Sequence, residues 1–328
     1  MDRIGAPDGV GQQAGTVAPP RPCATEASPI AHAVPNISEG RDGLTIEAAA
    51  DACRAAGAHV LNLHADVDHN RSVLTLAGRP EFLAEATVAL ARECRERIDL
   101  SRHEGVHPCI GALDVLPFVA RTPADRPVAE TLARGVAERI GAELEIPVFL
   151  YGTVARDPVR VRPHHFRAGG GMELARRVAA GELVPDAGPR RLHPTAGAVL
   201  VGVRAPLIAL NLALPGASLD QARALAARVR EAGGGPTGVR ALGLQLARAG
   251  CVQLSLNIED HVAAPLPVVI GAARRAGAAL GVSVGEAELV GLIPRAALAG
   301  DSPAQLGIVG FRPGMVVESQ FAALGRNA

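Results

Sequence analysis

The sequence predicts an α+β protein made of two consecutive β-α-β-β-α-β (ferredoxin-like) subdomains with a cleft between them. Short apolar runs of β character alternate with longer runs of helical period, and glycine or proline stands at most of the joints. The same order of elements occurs twice along the 328 residues. Because each such unit folds into one sheet with helices on one face, two units in series leave a cleft between two sheets.

The elements of the first subdomain follow one another from residue 30. The apolar runs predict a strand at residues 30–37, a helix at 44–56, strands at 59–63 and 72–76, a helix at 80–97 and a strand at 112–119. Proline at the first turn supports the start of the second helix, since its fixed φ suits that position. A helix at 124–140 and a strand at 148–151 are predicted to extend the same sheet.

The second subdomain is expected to begin where Pro206 separates two apolar runs, so the boundary divides residues 30–205 from residues 206–328. Residues 158–197 before it are predicted to be mostly loop with one short helix, and long loops inside compact domains are usually functional. After the boundary the pattern predicts a strand at 207–212, a helix at 219–231, strands at 239–246 and 252–257, a helix at 265–276 and a strand at 286–292.

Residues 1–29 are rich in glycine, proline, alanine and glutamine, which predicts a disordered leader. No apolar run in the chain reaches the roughly 20 residues of a membrane span, and the leader lacks the apolar segment of a signal peptide. We therefore expect no membrane partner.

Charge and composition exclude several classes of function. The 33 basic residues balance 33 acidic ones, and every basic residue is an arginine. A chain without lysine can use neither a Schiff-base lysine nor the lysine of a P-loop. Zero net charge, with six phenylalanines, one tyrosine and no tryptophan, provides neither the electrostatic field nor the stacking surface that nucleic acid needs. Small-molecule substrates are the expected partners.

The five cysteines are odd in number and show no C-x-x-C spacing. Neither a disulfide framework nor a cysteine zinc site is indicated by this usage. A reducing, cytoplasmic location fits it best.

Residues 103–114 carry the densest set of reactive groups, in the order His-Glu-Gly-Val-His-Pro-Cys-Ile-Gly-Ala-Leu-Asp. The first five match the H-E-x-x-H signature of zinc peptidases. Zinc binding would require His103 and His107 on one face of a helix, but Pro108 disfavours helix at the residue before it. A glycine-rich loop that enters a strand and presents an imidazole to a cleft fits the pattern better. We therefore expect no metal and keep the zinc peptidase as an alternative from another class.

Further motifs follow in a fixed order along the chain. The first is Val-Pro-Asn-Ile-Ser-Glu-Gly-Arg at residues 34–41, and the last is Leu-Val-Gly-Leu-Ile-Pro at residues 289–294. Between them lie motifs at residues 70–73, 101–103, 107–108, 111–114, 147–152, 167–169, 185–189 and 255–257. Taken together, these motifs resemble the formiminotransferase family over nearly the whole chain after the leader.

The resemblance implies a two-subdomain enzyme, usually a homodimer, that moves a formimino group from N-formimidoyl-glutamate to N5 of tetrahydrofolate during histidine degradation. His107 matches the family's catalytic histidine and is the expected general acid/base. The candidates for substrate binding are Asn36, Glu39, Asn70, Arg71 and His103. The loop at residues 188–197 occupies the place of the family's folate-binding loop and consists of Gly188, Pro189, Arg190, Arg191, Leu192, His193, Pro194, Thr195, Ala196 and Gly197. The chain has no room for a fused cyclodeaminase domain, so any cyclodeaminase partner is expected to be a separate chain.

The sequence departs from the family pattern near the catalytic histidine. Val106 and Cys109 stand where typical members have glutamate and arginine, and Asn62 and His64 stand where they have carboxylates. A carboxylate is the natural partner of a cationic formamidinium group, and an arginine is the natural anchor for a glutamate carboxylate. The identity of the donor therefore stays open.

Three alternatives to the glutamate and folate reaction remain. The chain could be a family relative with a changed donor or acceptor, a non-catalytic paralogue, or the zinc peptidase. Within the family reading, Cys109 is either a thiol nucleophile or a buried thiol. Arg190 and Arg191 either bind the carboxylates of the folate tail or form a solvated basic loop.

Overall fold

The computed structural model describes Met1 and residues 30–327, with the backbone alone at residues 326 and 327. The predicted disordered leader lies outside the described residues apart from Met1. Two β-sheets with helices packed on them form the described part, which confirms the predicted α+β class with two subdomains. None of the helices in this part of the chain combines the length and apolarity needed to cross a bilayer.

The first sheet has a ferredoxin-like core. Its strand order is β3-β4-(β1, β2)-β5, with β1 and β2 forming two pieces of one predicted strand that is interrupted at Val34 and Pro35. The elements of this core are β1 (Ala31–Ala33), β2 (Asn36–Ile37), α1 (Gly43–Ala55), β3 (His59–Asp66), β4 (Arg71–Gly78), α2 (Pro80–Arg97) and β5 (Leu113–Val119).

The core sheet is extended by two further strands, of which the sequence predicted the one at residues 148–151, and the two do not lie in sequence order. The later strand β7 pairs in parallel with both β5 and β6, and therefore lies between them. The elements of this extension are α3 (Arg126–Glu143), β6 (Val148–Gly152), α4 (His164–Arg167), α5 (Gly170–Ala179) and β7 (Val199–Arg204). The predicted long loop thus contains two short helices that cover part of the sheet.

The second sheet repeats the ferredoxin-like order with one strand added, as β12-β11-β8-β10-β9. The chain passes from the first sheet to this one between β7 and β8. Its elements are β8 (Ile208–Ala213), α6 (Leu219–Val229), β9 (Val239–Leu246), β10 (Cys251–Ile258), α7 (Leu266–Ala278), β11 (Ala287–Val290), α8 (Pro303–Leu306), β12 (Ile308–Val309) and α9 (Val317–Asn327). The sequence patterns did not predict α8, β12 or α9.

Alternation along β4 decides which groups face the cleft. Leu74 and Leu76 are fully buried in the core beneath the helices, whereas Val73 and Thr75 line the space between the two sheets. Burial of one such leucine contributes about 1.5–3 kcal/mol. Because successive side chains of a strand point to opposite faces, the leucines fix the strand and thereby aim its other face at the cleft. The C-terminal helix α9 closes one end of this face, where Val317 packs with Ala77.

Candidate active site

A cavity of about 1220 Å³ lies between the two sheets, where the sequence predicted a cleft. Strands β1, β2, β4 and β5 form one wall, with the side chains of Val34, Asn36, Val73 and Val115. The second sheet forms the opposite wall through residues of β8, β9 and β10. Pockets for single ligands usually measure about 300–1,000 Å³, so this volume suits one large ligand or two small ones.

The centre of the site is a buried carboxylate shared by two arginines. Asp114 has no exposed side-chain surface and accepts hydrogen bonds at Oδ2 from Arg71 Nη1 (2.6 Å) and from Arg167 Nη2. Its Oδ1 accepts the Ile110 N–H at 2.9 Å. Burial by itself would raise the pKa of Asp114, but Arg167 and Arg71 outweigh it and lower this pKa to about 2. Asp114 therefore stays ionised and holds both guanidinium groups at the cavity.

His107 lies beside this cluster and lines the cavity. Its Nδ1 is 2.9 Å from the Pro108 carbonyl oxygen, and because a carbonyl can only accept, Nδ1 carries the proton of the neutral ring. Desolvation and the nearby Arg71 and Arg167 hold the pKa of His107 well below its usual value. The imidazole is therefore neutral at pH 7, with the lone pair of Nε2 available to take a proton.

A second histidine accompanies His107. The rings of His69 and His107 have centroids 6.0 Å apart, and His69 is buried. Gln253, from β10 of the second sheet, donates from Nε2 to His69 Nε2 at 2.7 Å. Desolvation lowers the pKa of His69, so this ring is also expected to be neutral. His69 thus connects the second sheet to the catalytic candidate.

The His107 segment runs as a loop held close to neighbouring backbone, and residues 103–107 contain no helix. A Cβ added at Gly105 would lie 2.4 Å from the His69 carbonyl oxygen, and one at Gly111 would lie 1.9 Å from the Ala198 carbonyl oxygen. Only glycine permits these approaches. The single helical face that zinc binding by His103 and His107 would require is therefore not formed.

No group of three or more histidine, cysteine, aspartate or glutamate side chains placed to hold a metal ion is found in residues 30–327.

The predicted substrate-binding residues divide into two groups. Asn36 and Arg71 line the cavity and are joined by a 3.0 Å hydrogen bond from Arg71 Nε to Asn36 Oδ1. Asn70, Glu39 and His103 do not line it. Asn70, at a φ of 47°, accepts the Gly40 N–H and donates to the Glu104 carbonyl and to His103 Nδ1.

Glu39 directs its carboxylate to the backbone rather than to the cavity. Its Oε1 accepts the N–H groups of Arg41 and Asp42 at the start of α1. With Asn70, it braces the loops around the site. A direct contact of Glu39, Asn70 or His103 with substrate stays a prediction.

The predicted folate loop at residues 188–197 packs beside the His107 segment. The Ala112 N–H donates to the Ala196 carbonyl at 3.0 Å, and the Leu100 N–H donates to the Thr195 carbonyl at 2.9 Å. None of the ten loop residues lines the cavity, and Arg190 and Arg191 are exposed. Their contact with folate stays a prediction.

The positions that depart from the family pattern lie close to the site. His64 lines the cavity, and Asn62 carries a buried Oδ1 without a hydrogen-bond partner in the described part of the chain. Burial raises the pKa of the Cys109 thiol. A protonated thiol is a poor nucleophile, so the thiol-nucleophile alternative has no support from the surroundings of Cys109.

The structure adds three candidate site residues to those predicted from the sequence, namely Asp114, His69 and Arg167. The sequence motifs at residues 111–114 and 167–169 include Asp114 and Arg167 without assigning a role to either, and His69 belongs to none of the motifs. A histidine beside Asn70 and Arg71 at a strand start was a usable signal for His69. Nothing local could reveal that Arg167 reaches Asp114, because 53 residues separate them along the chain.

Comparison with known proteins defines the class to which this fold and site belong. The model of the formiminotransferase domain, N-terminal subdomain, matches residues 30–204, and that of the formiminotransferase domain matches residues 209–302. The chain therefore belongs to the formiminotransferase family of transferases, which confirms the resemblance seen in the sequence.

Individual relatives extend this assignment. The glutamate formimidoyltransferase of Streptococcus pyogenes serotype M1 is 35% identical over 82% of this chain and 90% of its own length. The enzyme of the same name from Thermoplasma acidophilum is 33% identical over 87% of this chain and 95% of its own length. The formimidoyltransferase-cyclodeaminase of Mus musculus is 35% identical over 83% of this chain, which spans only 51% of that relative.

Proposed function

We propose that the protein transfers the formimino group of N-formimidoyl-glutamate to N5 of tetrahydrofolate, with His107 as general acid/base. The observation that carries this proposal is a neutral, cavity-lining His107 beside the Arg71–Asp114–Arg167 cluster. Formimino transfer as such is supported by the family and by the names of the relatives.

The reaction needs one group that first accepts and then returns a proton. N5 of tetrahydrofolate attacks the amidine carbon, forming an N–C bond, while Nε2 of His107 takes the N5 proton. The tetrahedral intermediate then breaks its bond to the glutamate nitrogen, and the imidazolium returns the proton to that leaving amine. A histidine whose pKa is lowered serves both steps, because it is unprotonated before the attack and a strong acid afterwards.

Electrostatics and positioning are expected to supply the rest of the catalysis. Arg71 and Arg167 each direct one N–H to Asp114, and their guanidinium groups have further N–H donors for a substrate carboxylate. Two substrates held in one cavity gain the advantage of an intramolecular reaction.

The folate loop at residues 188–197 enters the proposal through its attachment to the His107 segment. Arg190 and Arg191 are exposed and lie outside the cavity, so the proposal assigns them no contact with an acceptor that is enclosed in it. We further propose that the enzyme acts in the cytoplasm as a homodimer in histidine degradation, and that a separate chain supplies any cyclodeaminase activity. The relative from Streptococcus pyogenes is named for the formimidoyltransferase activity alone.

A coupled assay tests the proposal. Purified protein is incubated with N-formimidoyl-glutamate and tetrahydrofolate, and release of glutamate is followed together with formation of 5-formimino-tetrahydrofolate. Both products should appear in equal amounts, and neither should appear when tetrahydrofolate is omitted. Glutamate release without tetrahydrofolate would indicate a hydrolase, and no release with either mixture would reject the glutamate donor. Stoichiometric zinc in the purified protein, bound by His103 and His107, would overturn the proposal in favour of a peptidase.

A further inference from the structure

The end of the cavity near α9 contains two buried polar side chains without partners. His32 is 7% exposed and Thr75 is 1% exposed, and both line the cavity. Neither ring nitrogen of His32 nor Thr75 Oγ1 has a hydrogen-bond partner among the described residues. Buried polar groups are almost always paired, and each exception calls for an explanation.

Two arginines lie around these unpaired groups. Arg204 lines the cavity, and no carboxylate in the described part of the chain lies within 4.0 Å of it. Arg121 stacks on the ring of Phe321 at 3.8 Å from the centroid and is 3.9 Å from its nearest carboxylate, that of Asp125. Both guanidinium charges act on His32, whose pKa is lowered to about 3 chiefly by burial.

The strand register places His32 and Arg204 in one row across the sheet, and Thr75 lies two residues along β4 from the partner of His32. His32 on β1 pairs with Ala77 on β4, and the adjacent pair joins Ala33 to Phe118 on β5. On the other side of β5, Val119 pairs with Arg204 on β7. Neighbouring strands lie about 4.8 Å apart, so the side chains of His32 and Arg204 can reach the same bound group.

This row is well separated from the catalytic cluster. Four residues along the first strand separate His32 from Asn36, which is bonded to Arg71, and at about 3.3 Å per residue this amounts to roughly 13 Å. Between the two ends, the floor presents the apolar side chains of Val34 and Pro117, with Thr75 in the same row and the Tyr151 ring beside it. The cavity therefore has two polar ends joined by a middle that is mainly apolar.

The charges that line the cavity favour an anionic ligand. Of the three acidic lining residues, Glu259 is already engaged by Arg240 at 3.3 Å. The other two acidic lining residues are Asp66 and Asp157, and seven arginines line the same cavity. Arginine also pairs with carboxylates in a planar, two-bond geometry.

We propose that His32, Thr75, Arg121 and Arg204 form an anion subsite that takes a carboxylate at the far end of an elongated substrate. The identification of that carboxylate as the glutamyl tail of tetrahydrofolate rests on the proposed function. The pterin then lies at His107, and the flat aminobenzoyl part of the molecule lies over the mainly apolar floor. The tail is thus bound inside the cavity, and not by the exposed Arg190 and Arg191.

Calorimetry with three probes tests the subsite. The probes are tetrahydrofolate, 6-methyl-tetrahydropterin, which lacks the tail, and p-aminobenzoyl-glutamate, which lacks the pterin. In Arg204→Gln, the preference for tetrahydrofolate over the tailless pterin should fall about tenfold or more, because a charge-assisted hydrogen bond to the carboxylate is lost. Binding of p-aminobenzoyl-glutamate should fall by a similar factor. The matched control Arg190→Gln/Arg191→Gln should keep the preference of the unaltered protein.

The outcomes separate this proposal from the proposed function. The subsite would be overturned if Arg190→Gln/Arg191→Gln lost the preference for tetrahydrofolate over 6-methyl-tetrahydropterin. It would also be overturned if Arg204→Gln weakened the binding of both compounds by the same factor. If the unaltered protein binds p-aminobenzoyl-glutamate and Arg204→Gln does not, but no formimino transfer occurs, the subsite stands and the proposed function fails. If the unaltered protein binds neither p-aminobenzoyl-glutamate nor tetrahydrofolate, both fail.

Two further variants keep the proposal testable if Arg204→Gln does not fold. Thr75→Val and His32→Phe replace unpaired buried polar groups by apolar groups of similar shape, which is expected to leave the unfolding midpoint unchanged or to raise it. Both should nevertheless weaken binding of p-aminobenzoyl-glutamate. If Thr75 and His32 had only a structural role, weaker binding of p-aminobenzoyl-glutamate would not occur at an unchanged or higher unfolding midpoint. Unchanged binding of this probe in both variants would contradict the proposal.

Discussion

The two sheets each contain a hairpin of the same design, but only one of these hairpins carries reactive groups. In the first sheet, the turn at residues 67–70 joins the eight-residue strands β3 and β4. In the second sheet, the turn at residues 247–250 joins the eight-residue strands β9 and β10. The first turn reads Val-Asp-His-Asn and the second Ala-Arg-Ala-Gly. Both end on a residue with positive φ, Asn70 at 47° and Gly250 at 63°.

The two turns meet across the cleft in complementary roles. The carboxylate of Asp68 accepts the Arg248 N–H at 2.7 Å and the Ala249 N–H at 3.1 Å. The first turn thus contributes side chains, and the second contributes backbone N–H groups. The Asp68 carbonyl also accepts the Val106 N–H, so the same contact holds the loop that carries His107.

The distribution of buried polar groups shows the same difference. Of the twelve buried polar side chains in the described part of the chain, only Asn211 and Gln253 belong to the second sheet. The other ten are His32, Ser38, Thr45, Asp68, His69, Asn70, Ser72, Thr75, Thr87 and Asp114. The same topology therefore carries the candidate reaction site in one half and forms the opposite wall of the cavity in the other, because function resides in the side chains that a fold carries.

The largest effect is expected from His107→Asn. Loss of the acid/base group should lower kcat by about 10²- to 10⁴-fold, while the urea midpoint stays near that of the unaltered protein. His261→Asn, which changes a histidine of the second half outside the cavity, is the matched control and should retain full turnover. Near-normal turnover of the His107 variant in the coupled assay would contradict the assignment of the first half as the reacting half.

Asp114→Asn tests the buried charge cluster that has no counterpart in the second half. The change leaves Arg71 and Arg167 without their shared carboxylate and should lower the free energy of unfolding by about 3–5 kcal/mol, measured by urea denaturation. Glu259→Gln removes a partly exposed pair with Arg240 in the second half and should cost less than about 1 kcal/mol. Equal losses of unfolding free energy in the two variants would show that the Arg71–Asp114–Arg167 cluster contributes no more to stability than the partly exposed pair.

The same carboxyl sets a pH dependence of stability. Since the pKa of Asp114 is about 2 in the folded protein and about 3.9 in an unfolded chain, its contribution is present above pH 4 and is lost as the pH falls towards 2. Asp114→Asn should therefore flatten the stability profile in that range.

The contact between the two turns is tested by Asp68→Asn. Weaker acceptance of two backbone N–H groups should cost about 2–3 kcal/mol and should speed hydrogen exchange at Arg248 and Ala249. Asp260→Asn is the matched control, because Asp260 accepts the N–H groups of Val262 and Ala263, both at 3.0 Å, within the second half alone. Faster exchange at residues 248–249 in both variants would rule out a specific role of Asp68 in joining the halves.

The smallest effect is a shift of the pH profile in Arg167→Gln. Desolvation and two nearby arginines lower the pKa of His107, so removal of one cation should raise this pKa towards its usual value. The acidic limb of kcat/KM against pH should then move upwards by about one unit. Arg92→Gln, on α2 at the helix-covered face of the same sheet, should leave the limb in place. If the acidic limb of the kcat/KM profile stays in place in Arg167→Gln, the ionisation that sets this limb is not that of His107.

Local patterns predicted much of the fold and part of the site. The alternation of apolar residues and the glycine and proline joints predicted both ferredoxin-like units, because those signals are local to each element. They did not predict that β7 lies between β5 and β6, since strand order depends on long-range pairing. The short α8 and β12 were missed because four and two residues are too few for a periodic signal.

The sequence by itself determined the repeated fold, the family and the candidate role of His107, because residue type and order are sufficient for these. Only the tertiary structure brought Arg71, Asp114 and Arg167 together from separate elements. It also revealed that the cavity has a second polar end at His32 and Arg204, and that the exposed arginines of the loop at residues 188–197 lie outside it. Charge pairing and burial depend on distances in space, and spacing along the chain does not encode those distances.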